Sequence, residues 1–499
     1  MNLVLFAVVL VSSAPNVNIL RWVSPDRSVP TNYREFVSKQ PLATRWQIRQ
    51  LSGPVNRFDQ RVDILIQDSL VNSLNPSLDT LRADLENEGY AVALFSVTGT
   101  SPESLRAFLR REYQDSGLTT AVLIGNLPVP WFQLIDDWNN NQRRDPDEGY
   151  EEFPCDLLLM DLDGVWLDTL VRLDTLDSLI PGTDGIYDTH TGNVEPEIGI
   201  SRIYTSTISP NVSLIQEYLA RCHFYRTGQL TVFDRALTYI DDDWTPWAEE
   251  WNTCVGYLYP QRVFIADSEQ TRVRDYKPRI DTAAYQWIQL CAHSWPGGHA
   301  MKYNHGQSWD WFYAESIPRI NPNVCFYNLF ACSNVRFIES NYCGGRYVFQ
   351  SNSGLGAIGS TKTGSMLEFQ DFYLPLSNGA SMAGAFKQWF AIQAQDGFEP
   401  WEKSWFYGMC LIGDGTLKPR ASVAIAENEP AAPNFAPVPT IIRRNQQIIA
   451  EQPRLLFDRS GRFIRRLNIG TNQFTSLPAG VYFLKSGLRR PVQPLILID

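Results

Sequence analysis

The sequence predicts an α/β protein built on a parallel sheet in two subdomains, with a small all-β domain after them. Three observations carry that prediction. Strand-like and helix-like runs alternate between residues 59 and 205, and a second alternating block follows over 206–424. Alternation at this spacing is the pattern of βαβ units and a parallel sheet. Composition then shifts to a Pro- and Ala-rich linker over 425–440, and 441–499 reads as short alternating strands.

The elements follow in order. Residues 15–58 form an N-terminal segment without clear periodicity. VDILIQ (62–67) is strand-like. NPSLDTLRADLENEG (75–89) reads as a helix capped by Asn75, with Leu78, Leu81 and Leu85 on one face and Gly89 as its stop. YAVALFSV (90–97) is a strand. SPESLRAFLRREY (101–113) is a helix with Ser101 as cap and Pro102 in its first turn. TTAVLIGN (119–126) closes the first strand series. EPEIGISRIY (195–204) is a strand and 212–226 a helix. RALTYIDD (235–242) and QRVFIAD (261–267) open the second block. Two further runs, YQWIQLCAHSWPGGH (285–299) and VCFYNLFACSNVRF (324–337), read as strands buried on both faces. GLGAIGSTKTGSM (354–366), the helical GASMAGAFKQWFAIQA (379–394) and WFYGMCLIGDGTL (405–417) complete it. Beyond the linker, RLLFDRSGRFIRRL, LPAGVYFLKSG and PVQPLILI supply the β-rich tail.

Composition narrows the function classes. Hydrophobic residues at 44% and charged residues at 19% describe a globular chain with a real core. The net charge of −11 and the lack of a Lys/Arg stripe argue against nucleic acid as a partner. Residues 1–14, MNLVLFAVVLVSSA, read as a signal peptide: an apolar core from Leu3 to Val11 followed by small residues. No other apolar stretch reaches the ~18 residues of a spanning helix, so the expectation is an exported protein and not an integral membrane one. The 8 cysteines show no CxxC or metal-ligand spacing, and an exported chain of this kind has room for one or two disulfides.

The chemistry concentrates at the ends of the two apolar runs. Ligands of open α/β sheets sit at the carboxyl ends of strands. If the two runs are neighbours, His293 and Cys332 emerge there together, and a thiol beside an imidazole is the minimum for an activated sulfur nucleophile. Cys332 ends its strand, whereas Cys325 starts it and Cys291 lies two residues before the histidine. Among 5 histidines, His293 is the first choice of base, His299 its rival and His305 the third candidate; His190 and His223 fit packing or surface roles. The backbone N–H groups of Cys332 and Ser294 are the expected oxyanion donors. Closely spaced Asp161, Asp163, Asp184 and Asp188, with nearby Gly turns, suggest a structural calcium; no cofactor is required. No GxSxG elbow, HExxH or strand-linked GxGxxG supports a serine hydrolase, a zinc peptidase or a dinucleotide fold.

At this point the sequence resembles the gingipain family of cysteine peptidases, in the wider caspase-like group. AHS (292–294) and ACS (331–333) match the family's order of His then Cys after successive strands. VLIGN with Pro128, DLLLMDLDGVW with PEIGISRI, AIGSTKTGS and LIGDGTL resemble further motifs in sequence order, over about 60–420. The chain departs from the pattern in placing Ser294 after His293, and in Gly413-Asp414-Gly415 where the family has Gly-Asp-Pro. The resemblance implies a caspase-like parallel-sheet sandwich and a cysteine endopeptidase acting on proteins or peptides through Cys332 and His293. The tail is similar to the C-terminal sorting domain of type IX secretion cargo. That implies contact with the type IX secretion machinery and a secreted or outer-membrane-associated protein. The competing expectation is a catalytically inactive caspase-like surface protein that binds or adheres through Trp244, Trp247, Trp251, Trp309 and Trp311.

Overall fold

The computed structural model describes residues 22–419, apart from 41–44, 56–57, 59, 142–144, 146–147, 174–177 and 210–211, together with strand segments and Leu477 within 440–498. The signal-peptide region (1–14) and all but the last residue of the linker (425–440) lie outside the described residues. The chain divides into two compact units between Ala424 and Ile425.

The strands that position the site are labelled in chain order. The N-terminal segment supplies β1 (Gln47–Ser52), and the first block holds β2 (Gln60–Gln67), β3 (Tyr90–Thr98), β4 (Leu118–Ile124) and β5 (Gly199–Ile203). The second holds β6 (Ala236–Ile240), β7 (Arg262–Ile265), β8 (Ala284–Cys291), β9 (His293–Trp295), β10 (Gly298–Tyr303), β11 (Ser308–Tyr313), β12 (Asn323–Phe330), β13 (Gly356–Ser360) and β14 (Met409–Gly413). Eleven of them form one sheet in the order β1-β3-β2-β4-β5-β14-β13-β12-β8-β6-β7. Only β1–β3 and β13–β14 pair antiparallel; the other neighbours are parallel.

The fold is therefore α/β with a large, mostly parallel sheet. β1 comes from the segment 15–58, which the sequence reading left outside the first subdomain; the other strands of the sheet lie within 59–205 or 206–424. The two blocks meet where β14, from the second, lies parallel to β5 of the first. Because β13 and β14 are antiparallel, the strands of the two halves run in opposite directions. Their carboxyl ends lie on opposite edges, so the first half and the Cys–His strands serve different edges.

The helices follow local chemistry. Ser101 caps Pro102–Ser116 by accepting the Ser104 N–H at 3.1 Å, and Gly117 ends it in the left-handed region at φ 69°. The helix expected to start at Asn75 begins at Val71 instead. A 3-10 turn over Asp68–Leu70 leaves β2 and feeds the helix directly, so its first turn forms ahead of Pro76. Ser381 caps Met382–Gln393 by accepting the Gly384 N–H at 3.1 Å.

Both faces of β8 and β12 are covered, since every residue after the first in each strand is buried. The two glutamines in YQWIQLC are buried with partners. Gln289 Oε1 accepts from Tyr373 Oη at 2.5 Å, and Gln286 Oε1 accepts from Tyr259 Oη at 2.8 Å. All eight cysteines are free thiols, which corrects the allowance for disulfides. No helix among the described residues is long and apolar enough to cross a membrane.

The second unit is all-β in its described residues. Thr440–Arg443, Gln493–Ile498, Gly480–Lys485, Arg454–Asp458 and Phe463–Leu467 form a five-stranded sheet in that order, and Gln447–Ala450 pairs with Gly470–Gln473.

Candidate active site

β8 and β12 are parallel neighbours whose last residues, Cys291 and Phe330, stand in register. The Ala292 N–H donates to the Phe330 carbonyl at 3.1 Å, extending the pairing one step. His293 and Cys332 therefore leave the sheet from matched positions at its carboxyl edge.

The cysteine turn is tightly held. Ser333 adopts φ +57°, a left-handed conformation that costs a non-glycine residue about 1 kcal/mol and recurs at functional turns. The Ser333 N–H donates to the Lys362 carbonyl at 2.8 Å and the Val335 N–H to that of Ser360 at 3.2 Å, tying the turn to the end of β13 and the loop after it. Asn334 Nδ2 donates to the carbonyls of Trp295 and Gly298, each at 3.1 Å, and so binds the cysteine turn to the β9–β10 hairpin. Cys332 is the one cysteine of the eight that is not buried. Burial of the sulfur pushes its pKa up to about 11; the Gly364 N–H pulls it down, Glu151 raises it and Lys362 lowers it.

His293 is sandwiched between Trp244, at a ring-centroid distance of 4.4 Å, and Trp309, at 5.4 Å. Its Nε2 meets Asp243 Oδ2 at 2.8 Å, and its Nδ1 is buried without a hydrogen-bond partner. A carboxylate at Nε2 fixes the neutral ring with its proton there and its lone pair on Nδ1. Burial lowers the His293 pKa below the ordinary histidine value, against the pull of Asp243. Asp243 is itself held below the usual carboxylate range: burial works to raise it, but His293 and the Lys302 ammonium, at 2.6 Å, outweigh that.

Asp243 escaped the sequence reading. It belongs to the Asp241-Asp242-Asp243 run at the carboxyl end of β6, the strand beside β8. Asp241 builds the turn: its Oδ1 accepts the Asp243 N–H at 3.1 Å and its Oδ2 the Lys302 N–H at 3.1 Å. The available signal was three acids at the end of a parallel strand, one position over from the histidine strand.

The other histidines separate cleanly. His299 lies fully buried on the opposite face of the hairpin, with Nε2 3.1 Å from Tyr347 Oη and 3.7 Å from Cys343 Sγ, not Cys332. Burial lowers it to about 3. His305 is exposed. His190 packs against Trp166 at 3.7 Å and is bonded to Tyr407 and Asp161, and His223 pairs with Asp84 at 2.9 Å. Of the tryptophans expected to form a binding surface, Trp244 and Trp251 are buried, while Trp247, Trp309 and Trp311 are partly exposed.

No family model matches the chain, and no curated protein matches it.

The two residues named from sequence as oxyanion donors are in contact through a side chain. Ser294 Oγ donates to the Cys332 carbonyl at 2.5 Å, joining the Ser294 side chain to the cysteine turn. No hydrogen bond joins Cys332 Sγ to the His293 ring; the sulfur is turned to the Gly364 N–H. Catalytic bonds of this kind commonly tighten only around substrate.

The four aspartates named for calcium do not converge. Asp188 accepts the N–H groups of Thr169 and Leu170, both at 2.7 Å, and Asp184 accepts that of Ile186 at 3.0 Å, so both are committed to turns. Among the described residues, the acidic group able to close on one ion is Asp161, Asp163 and Glu197, with ligand oxygens within 4.8 Å of one another. Burial pushes Glu197 up to about 7, with Asp163 and Asp161 adding to the rise and the Leu162 N–H opposing it. Asp161 also accepts from Gly164 at 2.7 Å and from Trp166, so part of its coordinating capacity is spent.

Proposed function

We propose that the protein is a cysteine endopeptidase of the caspase-like group, acting through Cys332, His293 and Asp243. One observation carries the reading: the only partly exposed cysteine and a histidine with an unspent Nδ1 leave adjacent strands in register, and a carboxylate holds the far side of the ring.

The pKa directions describe a resting pair in which both partners are neutral: a thiol at about 11 and an imidazole lowered by burial. His293 Nδ1 takes the Cys332 proton as sulfur attacks the scissile carbonyl carbon. The N–H groups of Cys332 and Ser294 receive the oxyanion. His293 then returns the proton to the departing amine as the C–N bond breaks, leaving a thioester on Cys332. Water, deprotonated by His293, hydrolyses the thioester and restores the thiol. Asp243 keeps the reactive tautomer and steadies the imidazolium.

An electrophilic peptide probe, such as a peptidyl chloromethyl ketone, tests the reading. Stoichiometric labelling of Cys332, lost in Cys332→Ala together with peptide hydrolysis, supports it. Unchanged hydrolysis in Cys332→Ala overturns it. The orientation of Cys332 Sγ toward Gly364, away from any bond to His293, favours the second reading, a non-catalytic binding protein on the same scaffold. Absence of any label on the folded protein supports that alternative.

For export, we propose that the 1–14 segment and the β-rich tail direct the protein through a type IX route to the cell surface or the medium. Removal of 441–499 should then retain it within the cell envelope.

A further inference from the structure

The β9–β10–β11 sheet carries the candidate base on one of its two faces. Side chains alternate along a strand. His293 and Trp295 of β9, Ala300 and Lys302 of β10, and Trp309, Trp311 and Tyr313 of β11 therefore share a face. The register agrees: His293 stands opposite Ala300, Ala300 opposite Trp311 and Lys302 opposite Trp309. The other face is used inside the protein, where His299 stacks on Phe312 at 5.6 Å and on Tyr347 at 5.8 Å.

On the first face the rings run on from the base without a break. His293 to Trp309 is 5.4 Å, Trp309 to Trp311 is 5.8 Å, Trp311 to Trp295 is 5.7 Å and Trp295 to Tyr313 is 5.7 Å. Trp309 and Trp311 are partly exposed, and Tyr313 is 49% exposed. Core packing does not explain a large aromatic at that exposure, yet it continues a series that ends at an unspent catalytic nitrogen.

We infer that this track receives the departing half of the substrate and selects aromatic or large apolar side chains at the first two positions after the scissile bond. The inference rests on the peptidase reading. Its reasoning is chemical. The general acid must reach the leaving nitrogen, so that nitrogen lies at His293 Nδ1. Chain beyond it advances by roughly 3.3–3.6 Å per residue, which keeps the next two side chains within reach of the ring series. Aromatic faces favour aromatic and apolar occupants. The Lys302 ammonium, paired with Asp243 at 2.6 Å, lies 5.2 Å from the Trp309 ring centroid, so a basic side chain finds the cation position at that ring already taken.

The test uses acyl transfer by the full-length protein. A peptide methyl ester acylates Cys332 and releases methanol. Amino-acid amides then compete with water: the acceptor amine attacks the thioester, the C–N bond forms, the C–S bond breaks, and the amine proton returns the thiolate to thiol through His293. Phe-amide and Trp-amide should capture the acyl group about tenfold more efficiently than Gly-amide or Lys-amide. Trp311→Ala and Tyr313→Ala should each reduce that preference, and Trp311→Phe should keep most of it. Capture indifferent to the acceptor's side chain, or a preference untouched by both alanine variants, overturns the track alone. Absence of an acyl adduct on Cys332 by mass overturns the peptidase reading beneath it.

Discussion

The molecule contains two thiol–imidazole neighbourhoods; burial lowers both rings and raises both thiols, and the two differ in the carboxylate behind the ring and in the exposure of the cysteine residue. Cys343 and His299 touch at 3.7 Å, closer than any bond made by Cys332 to a histidine, yet both are fully buried. No carboxylate supports His299, burial alone drives it to about 3, and its ring packs beside those of Phe312 and Tyr347. Burial likewise raises the Cys343 thiol far above its ordinary value. Cys332 and His293 make no mutual bond, but they stand at a sheet edge with a cysteine residue that is not fully buried, a carboxylate behind the ring and a lone pair unspent. Under the proposed function, it is access and the charge behind the base, rather than the sulfur-to-nitrogen distance, that single out Cys332 and His293.

Cysteine replacement is the strongest way to break this contrast. Cys332→Ala should lower kcat/KM for peptide hydrolysis by at least about 10³-fold. Cys343→Ala should leave kcat/KM intact and instead cost about 1–2 kcal/mol of stability, read from denaturant unfolding. Equal activity losses in the two variants would erase the distinction between the sites.

Asp243→Asn comes next, with an expected loss of about 10²-fold in kcat. Because Asp243 favours the protonated ring, its removal should also move the acid limb of the kcat/KM profile to lower pH. A loss without that displacement would make Asp243 a structural residue only.

The buried pair should reveal itself in acid. His299 is held at about 3 against an ordinary 6.5, so between those values the unfolded chain binds a proton that the folded one refuses. Stability is full above about pH 6.5 and falls as pH drops toward 3. His299→Phe should flatten the dependence of Tm on pH in that window. An unchanged slope would show that His299 is not neutral and buried as described.

The smallest effect belongs to Asn334. Asn334→Ala removes two 3.1 Å bonds that pin the hairpin to the cysteine turn, and should cost about 1–3 kcal/mol with a loss of kcat near tenfold. Stability falling while kcat holds would separate the hairpin's position from catalysis.

Much of this arrangement was legible in the chain. Continuous apolar runs ending in Ala292-His293 and Ala331-Cys332 have one comfortable home, a strand buried on both faces, and parallel strands deliver their ends to one edge. The cap at Ser101 is local chemistry, so it forms where its residue stands. The start of the helix at Val71 was not legible, because a 3-10 turn nucleates it from the strand before. Gln286 and Gln289 look wrong for a buried strand until Tyr259 and Tyr373 arrive from remote segments.

The sequence by itself determined the alternation of strands and helices and the emergence of His293 and Cys332 at strand ends, since hydrophobic period and turn chemistry act within a few residues. Tertiary structure alone decided which histidine has a carboxylate behind it, which cysteine reaches the surface and which acids gather. Asp243 is 50 residues before His293, and Glu197 is 36 after Asp161. Only the pairing of β6 with β8, and the folding of the acidic loops, brings such groups within the few ångströms over which a proton or an ion can be shared.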